Sequence, residues 1–136
     1  MNPSDNIDLK ALAKVIQKRE NVLLAYIFGS QVTSTRVQKP SSDIDIAILF
    51  TYSPPLRELL SFRAELTQLL ETDSVDLVSL NEASPLLKYE VIVGGKTIYT
   101  GDPLLQSRFE MRTISHFLDT RYLRNVQNHY LLGEAL

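Results

Sequence analysis

Three short features of this sequence could do chemistry. They are Gly29-Ser30 at the end of an apolar run, Asp43 and Asp45 one residue apart, and Asp76 inside another apolar run. In an extended strand, residues i and i+2 face the same way. Asp43 and Asp45 would therefore stand side by side, with Ile44 and Ile46 turned the other way into a core. Two carboxylates that close repel and raise each other's pKa unless a cation lies between them. A hard, oxygen-preferring divalent ion such as Mg²⁺ relieves that repulsion and commonly keeps phosphate oxygens among its ligands. Gly29 lets a ligand approach the backbone, and Ser30 adds a hydroxyl before a possible helix N-terminus, which suits a phosphate. An Asp-x-Asp pair at a strand start is more often simply solvated. The preceding Phe28-Gly29-Ser30 and the apolar flanks favour a Mg²⁺–phosphate site.

Asp76 sits between Val75 and Leu77. Alone it would read as a tolerated edge-strand residue, since burying an unpartnered acid is costly. If its strand neighbours the one holding Asp43 and Asp45, the three carboxylates form a centre for phosphoryl or nucleotidyl transfer. Asp43 and Asp45 would hold the metals. Asp76 would bind a second metal or take the proton from an incoming hydroxyl. Arg36 and Lys39, in the twelve-residue stretch between Ser30 and Asp43, could touch phosphate, but loop cations are usually solvated.

The elements that must position these residues follow from the apolar spacing. Helical periodicity runs from Asp8 to Lys18, with Ser4 or Asp5 as the cap. Strands are expected at Val22 to Phe28 and Ile44 to Phe50, with a short helix after Ser30 and otherwise loop between them. An amphipathic helix from Leu56 to Leu70 repeats Leu56, Leu59, Leu60, Phe62, Leu66, Leu69 and Leu70, and a strand follows from Val75 to Leu80. Pro85 opens a helix that Gly94-Gly95 closes. A strand from Lys96 to Thr100 and a long helix from Pro103 to about Leu132 complete the chain. This order gives an α/β fold: one small mixed sheet covered by helices, with a long C-terminal helix.

The 136 residues suit one domain with a real core. A net charge of −2 gives no general pull toward nucleic acid or anionic membrane. The absence of cysteine excludes disulfide and thiol chemistry, and the two histidines, His116 and His129, do not suggest zinc. The first residues have neither a basic start nor an apolar run, and no stretch reaches the roughly 18 apolar residues of a membrane span, so the chain is expected in the cytoplasm.

The order apolar-Gly-Ser, spacer, Asp-apolar-Asp-apolar and a later strand Asp resembles the polymerase-β-like nucleotidyltransferase superfamily. The segments Val75-Asp76-Leu77-Val78, Pro85 to Ile92, Gly95 to Tyr99 and Arg108 to Tyr122 narrow the likeness to its minimal members. Those are the MntA-like antitoxins of HEPN–MNT type VII toxin–antitoxin pairs. The resemblance covers nearly the whole chain, although the Ser30–Asp43 spacer is longer than the antitoxin pattern. It implies a polymerase-β-like fold over residues 1–136 and AMP transfer from ATP, with Mg²⁺, to a tyrosine of a partner HEPN ribonuclease. Asp43, Asp45 and Asp76 would be the catalytic and metal-binding residues, and Gly29 and Ser30 would hold the nucleotide. The rival readings are an antitoxin that only masks its toxin, and a nucleotidyltransferase acting on a small molecule.

Arg124 and His129 mimic the Arg-x4-His spacing of HEPN ribonucleases, but one long helix cannot supply a HEPN bundle, so the match is read as chance. Phe109, Phe117, Tyr122 and Tyr130 fall at helical spacing and read as core. So long a helix cannot hide all its apolar surface, and part of it should serve as a partner or self-association surface.

Overall fold

A computed structural model describes residues 8–29 and 44–131, apart from the side chains of Tyr122, Asn128, Tyr130 and Leu131. The elements are α1 (Leu9–Gln17), β1 (Val22–Phe28), β2 (Ile44–Phe50), α2 (Leu56–Leu70), β3 (Val75–Ser79), α3 (Pro85–Gly94), β4 (Lys96–Thr100) and α4 (Pro103–Leu131). The expected helix after Ser30 falls outside the described residues.

The four strands lie in the order β3-β2-β1-β4. The central strand β1 is antiparallel to both β2 and β4, while β2 and β3 run parallel across the α2 crossover. Both faces of the sheet are covered, which is why β1 and β2 are almost continuously apolar rather than alternating. On one face, Leu12 and Ile16 of α1 and Phe62, Leu66 and Leu70 of α2 pack on Ile27, Ile46 and Ile48. On the other, Val91 of α3 and Leu105 and Phe109 of α4 pack on Leu24, Tyr26 and Ala47.

Local details depart from the sequence expectation in two places. Asp8 caps α1, accepting from the Lys10 and Ala11 amides, in place of the expected Ser4 or Asp5, which lie outside the described residues. In α2 the apolar stripe is wider than the surface it covers, and Leu56 and Leu60 end up exposed while Phe62, Leu66 and Leu70 are buried. Gly95, the residue after α3, is needed for closeness rather than for turning. Its backbone is extended, and a Cβ there would meet the Val91 and Ile27 carbonyl oxygens and the Phe28 side chain.

Tyr26 ties α4 to the sheet. Its hydroxyl donates to Glu110 Oε1 at 3.1 Å and accepts from Gln106 Nε2 at 3.5 Å, and Gln106 also donates to Thr97 Oγ1 at 2.9 Å. Burial, then the charge on Glu110, holds the phenol well above its ordinary pKa. A folded-state pKa above the unfolded value of about 10 means that this stabilisation is complete below pH ~10 and is lost as pH rises. Tyr26→Phe should cost about 1.5–3 kcal/mol at neutral pH, the range for a hydrogen bond to a charged group. The gap to the wild type should narrow or reverse by pH ~11. Urea midpoints for both proteins at pH 8 and pH 11 check this; a gap that does not change with pH would contradict it.

Candidate active site

The site lies where β1 ends and β2 and β3 begin. The sheet places three of the five candidate residues there, Gly29, Asp45 and Asp76. Ser30 and Asp43 lie outside the described residues, as do Arg36 and Lys39. Asp45 is the register partner of Phe28 across the antiparallel pair and of Asp76 across the parallel pair. Register partners on adjacent strands point to the same face, with backbones about 4.8 Å apart. The two carboxylates are thus neighbours on the α3/α4 face, while Ile44 and Ile46 turn to the opposite core.

Two backbone devices fix that register. The Ile44 amide donates to the Ser74 carbonyl at 2.7 Å, which joins β2 and β3 one step before the acids. From α2, Arg63 donates through Nε to the Val75 carbonyl at 2.8 Å and through its terminal nitrogen to that of Asp73 at 3.0 Å. Arg63 is a positioning residue that the sequence reading missed. The only signal for it was a long cation on the helix just before the Asp76 strand, a placement most surface arginines share.

Asp45 is half-buried and Asp76 is exposed. The burial cost expected for Asp76 is therefore not incurred: β3 is an edge strand, and this end of it is open to solvent. Gly29 turns the chain away with φ +108°, a left-handed conformation rarely open to other residues. A Cβ on Gly29 would stand 2.8 Å from Asp45 Oδ2. The glycine thus leaves space directly beside the carboxylate, so a ligand there can touch backbone and acid together.

Hard oxygen donors of this kind fit Mg²⁺ better than zinc or a soft metal. Among the described residues no group of three potential metal ligands occurs; Asp45 and Asp76 are a pair, and Asp43 is the expected third. A wide cavity of about 710 Å³ lies at the other end of the sheet, between Lys18, Asn21, Thr51 and Glu58, away from this chemistry. Arg124 has a structural explanation, its guanidinium lying over the Phe117 ring at 5.5 Å. No described helix is long and apolar enough to cross a membrane.

Residues 10–104 match the family model "Polymerase beta, Nucleotidyltransferase". This chain belongs to that family. The protein adenylyltransferase MntA of Shewanella oneidensis is 33% identical over 114 residues, which cover 84% of this chain and 77% of that protein. Among solved structures, a toxin–antitoxin complex with AMP-PNP superposes with a TM-score of 0.78 at 26% identity, covering 93% of this chain and 99% of that one. A tri-AMPylated Shewanella oneidensis HEPN toxin in complex with its MNT antitoxin superposes at 0.72 and 25% identity, covering 91% and 95%. The fold expected from the sequence, a mixed sheet covered by helices with a long last helix, is the nucleotidyltransferase fold these structures share.

Proposed function

We infer that this nucleotidyltransferase is an antitoxin that transfers AMP from ATP to a tyrosine of a cognate HEPN ribonuclease toxin, and so neutralises it. The observation that carries the reading is the coincidence of two things. Gly29, Asp45 and Asp76 meet at one end of the sheet, in a chain that is one-third identical to a protein adenylyltransferase over most of its length. The acceptor tyrosine is supplied by the partner, so one minimal domain can do the work, and its place is the cytoplasm, where ribonuclease toxins and ATP meet.

In the transfer, the tyrosine oxygen forms a bond to the α-phosphorus of ATP, the bond from that phosphorus to the bridging oxygen breaks, and pyrophosphate leaves. Asp76, exposed on the edge strand, would bind a second metal or accept the phenolic proton. Gly29 gives the triphosphate access to the backbone, with Ser30 as the adjoining hydroxyl donor. Asp45, with Asp43, would hold Mg²⁺, which supplies charge neutralisation on the phosphates when bound.

The test is the intact mass of the partner toxin after incubation with this protein, ATP and Mg²⁺. One or more added AMP masses are expected, and none when the divalent ion is chelated. A stable complex without any mass change would replace catalysis by masking. Neither complex nor mass change would turn attention to a small-molecule acceptor.

A further inference from the structure

We propose that the outward face of α4, together with the groove at its foot, docks the protein that carries the acceptor tyrosine, through an apolar surface edged with carboxylates. This inference rests on the adenylyltransferase reading for the identity of the partner but not for the existence of the surface.

Helix α4 is apolar on two opposite sides. Leu105, Phe109 and Phe117 face the sheet and α3, and Thr113 is buried with them. Leu104, Met111, Ile114 and Leu118 lie roughly half a turn away and face solvent, with Met111 72% and Leu118 51% exposed. A helix that only capped the sheet would need one apolar side. Leu104 also belongs to a groove of about 370 Å³ closed by Leu23 and Leu49 of the sheet and edged by Arg108 and Arg112. Neither of those arginines forms an ion pair with a described residue.

The charge pattern selects the occupant. Helix α4 carries four arginines against Glu110 and Asp119 in a chain whose net charge is −2; Arg108 and Arg112 edge the groove, while Arg124 lies over the inward-facing Phe117. The basic excess thus sits on the element with the uncovered apolar stripe. A second copy meeting this face would bring arginine against arginine, a like-charge cost. An apolar ridge flanked by Asp or Glu satisfies both the stripe and the cations.

The direction of α4 ties this surface to the chemistry. Phe109, Arg112 and His116 gather around Pro85 and Lys88, and further along both helices Phe117 stacks on Tyr89 with ring centres 4.0 Å apart. Helix α4 therefore runs beside α3 in the same sense. Helix α3 delivers the chain to Gly95, against Ile27 and Phe28 at the Gly29 end of β1. Beyond Phe117, α4 continues for about 20 Å of helix in that direction. A partner bound along α4 and reaching past Phe117 would extend toward the end of the sheet that holds Asp45 and Asp76.

Two double variants test this against the HEPN partner by titration calorimetry: Met111→Glu/Leu118→Glu and Arg108→Glu/Arg112→Glu. Each should weaken the complex at least about 30-fold, the scale of a central hot spot. KM for the toxin should rise in parallel, with unchanged ATP binding and an unchanged melting midpoint. The arginine pair should also remove most of the salt dependence of binding. Wild-type affinity in both variants overturns the proposal. So does sedimentation showing that the substitutions abolish self-association while the partner still binds. If the wild type binds through this face yet adds no AMP, docking stands and the transferase reading falls.

Discussion

Asp45→Asn should lower adenylyl transfer on the order of 10³-fold, the loss expected when one charged group of a phosphoryl-transfer centre is neutralised. The substitution preserves volume and planarity, so the fold should stay intact. Asp45 lies at the start of β2, held between Phe28 and Asp76 by ladders on both sides, and its backbone neighbours Ile44 and Ile46 are buried. The variant therefore isolates charge from position. Melting midpoint and partner affinity should match the wild type, because the docking face on α4 is built from other residues. Asp76→Asn should cost less, because Asp76 is exposed on an edge strand and water can accept the proton in its place. The readout is the rate of AMP incorporation into purified toxin, alongside toxin neutralisation in cells. Transfer within tenfold of wild type would remove Asp45 from the catalytic centre. Lost transfer with full neutralisation would show that binding alone silences the toxin.

The sequence made the centre of the site legible because its signals are short-range. Alternation within Ile44–Phe50 decides which way Asp45 points, and a parallel partner strand follows from the intervening α2. The pairing of Asp76 with Asp45 was expected only if their strands were neighbours, and the parallel β2–β3 ladder meets that condition. The exposure of Asp76 could not be foreseen, because that depends on β3 being the last strand of the sheet, a matter of global order. The same limit explains α2. The repeat from Leu56 to Leu70 shows a helix with an apolar side, but how wide a side the sheet covers is set by the neighbours, and Leu56 and Leu60 lie beyond it. Asp8 against Ser4 or Asp5 was a choice among similar short polar side chains, each able to cap. Arg63 acts on two carbonyls, and backbone acceptors leave no trace in sequence. For α4 the apolar spacing was visible, but which of its two sides would be covered depended on where α3 settled.

Gly29→Ala should cost most of the activity and a measurable part of the stability. At φ +108° an alanine incurs about 1–3 kcal/mol of backbone strain, less if the strand end relaxes. Relaxation is what harms the site. The new methyl would stand 2.8 Å from Asp45 Oδ2, so either the carboxylate rotates away or the chain leaving β1 shifts and carries Ser30 with it. A misplacement of about 1 Å near the reacting groups costs roughly 10²-fold in rate. The methyl also fills the space through which phosphate would reach the backbone, so KM for ATP should rise together with the fall in kcat. Gly94→Ala is the matched control. It sits at the last position of α3 with nothing within 4 Å of its would-be Cβ, and helix propensity favours alanine there by up to about 1 kcal/mol. Steady-state AMP transfer and thermal melts of both variants decide the matter. Normal kinetics in Gly29→Ala would mean that the turn after β1 does not hold the nucleotide, leaving Asp45 and Asp76 without the phosphate cradle on which the proposed transfer depends.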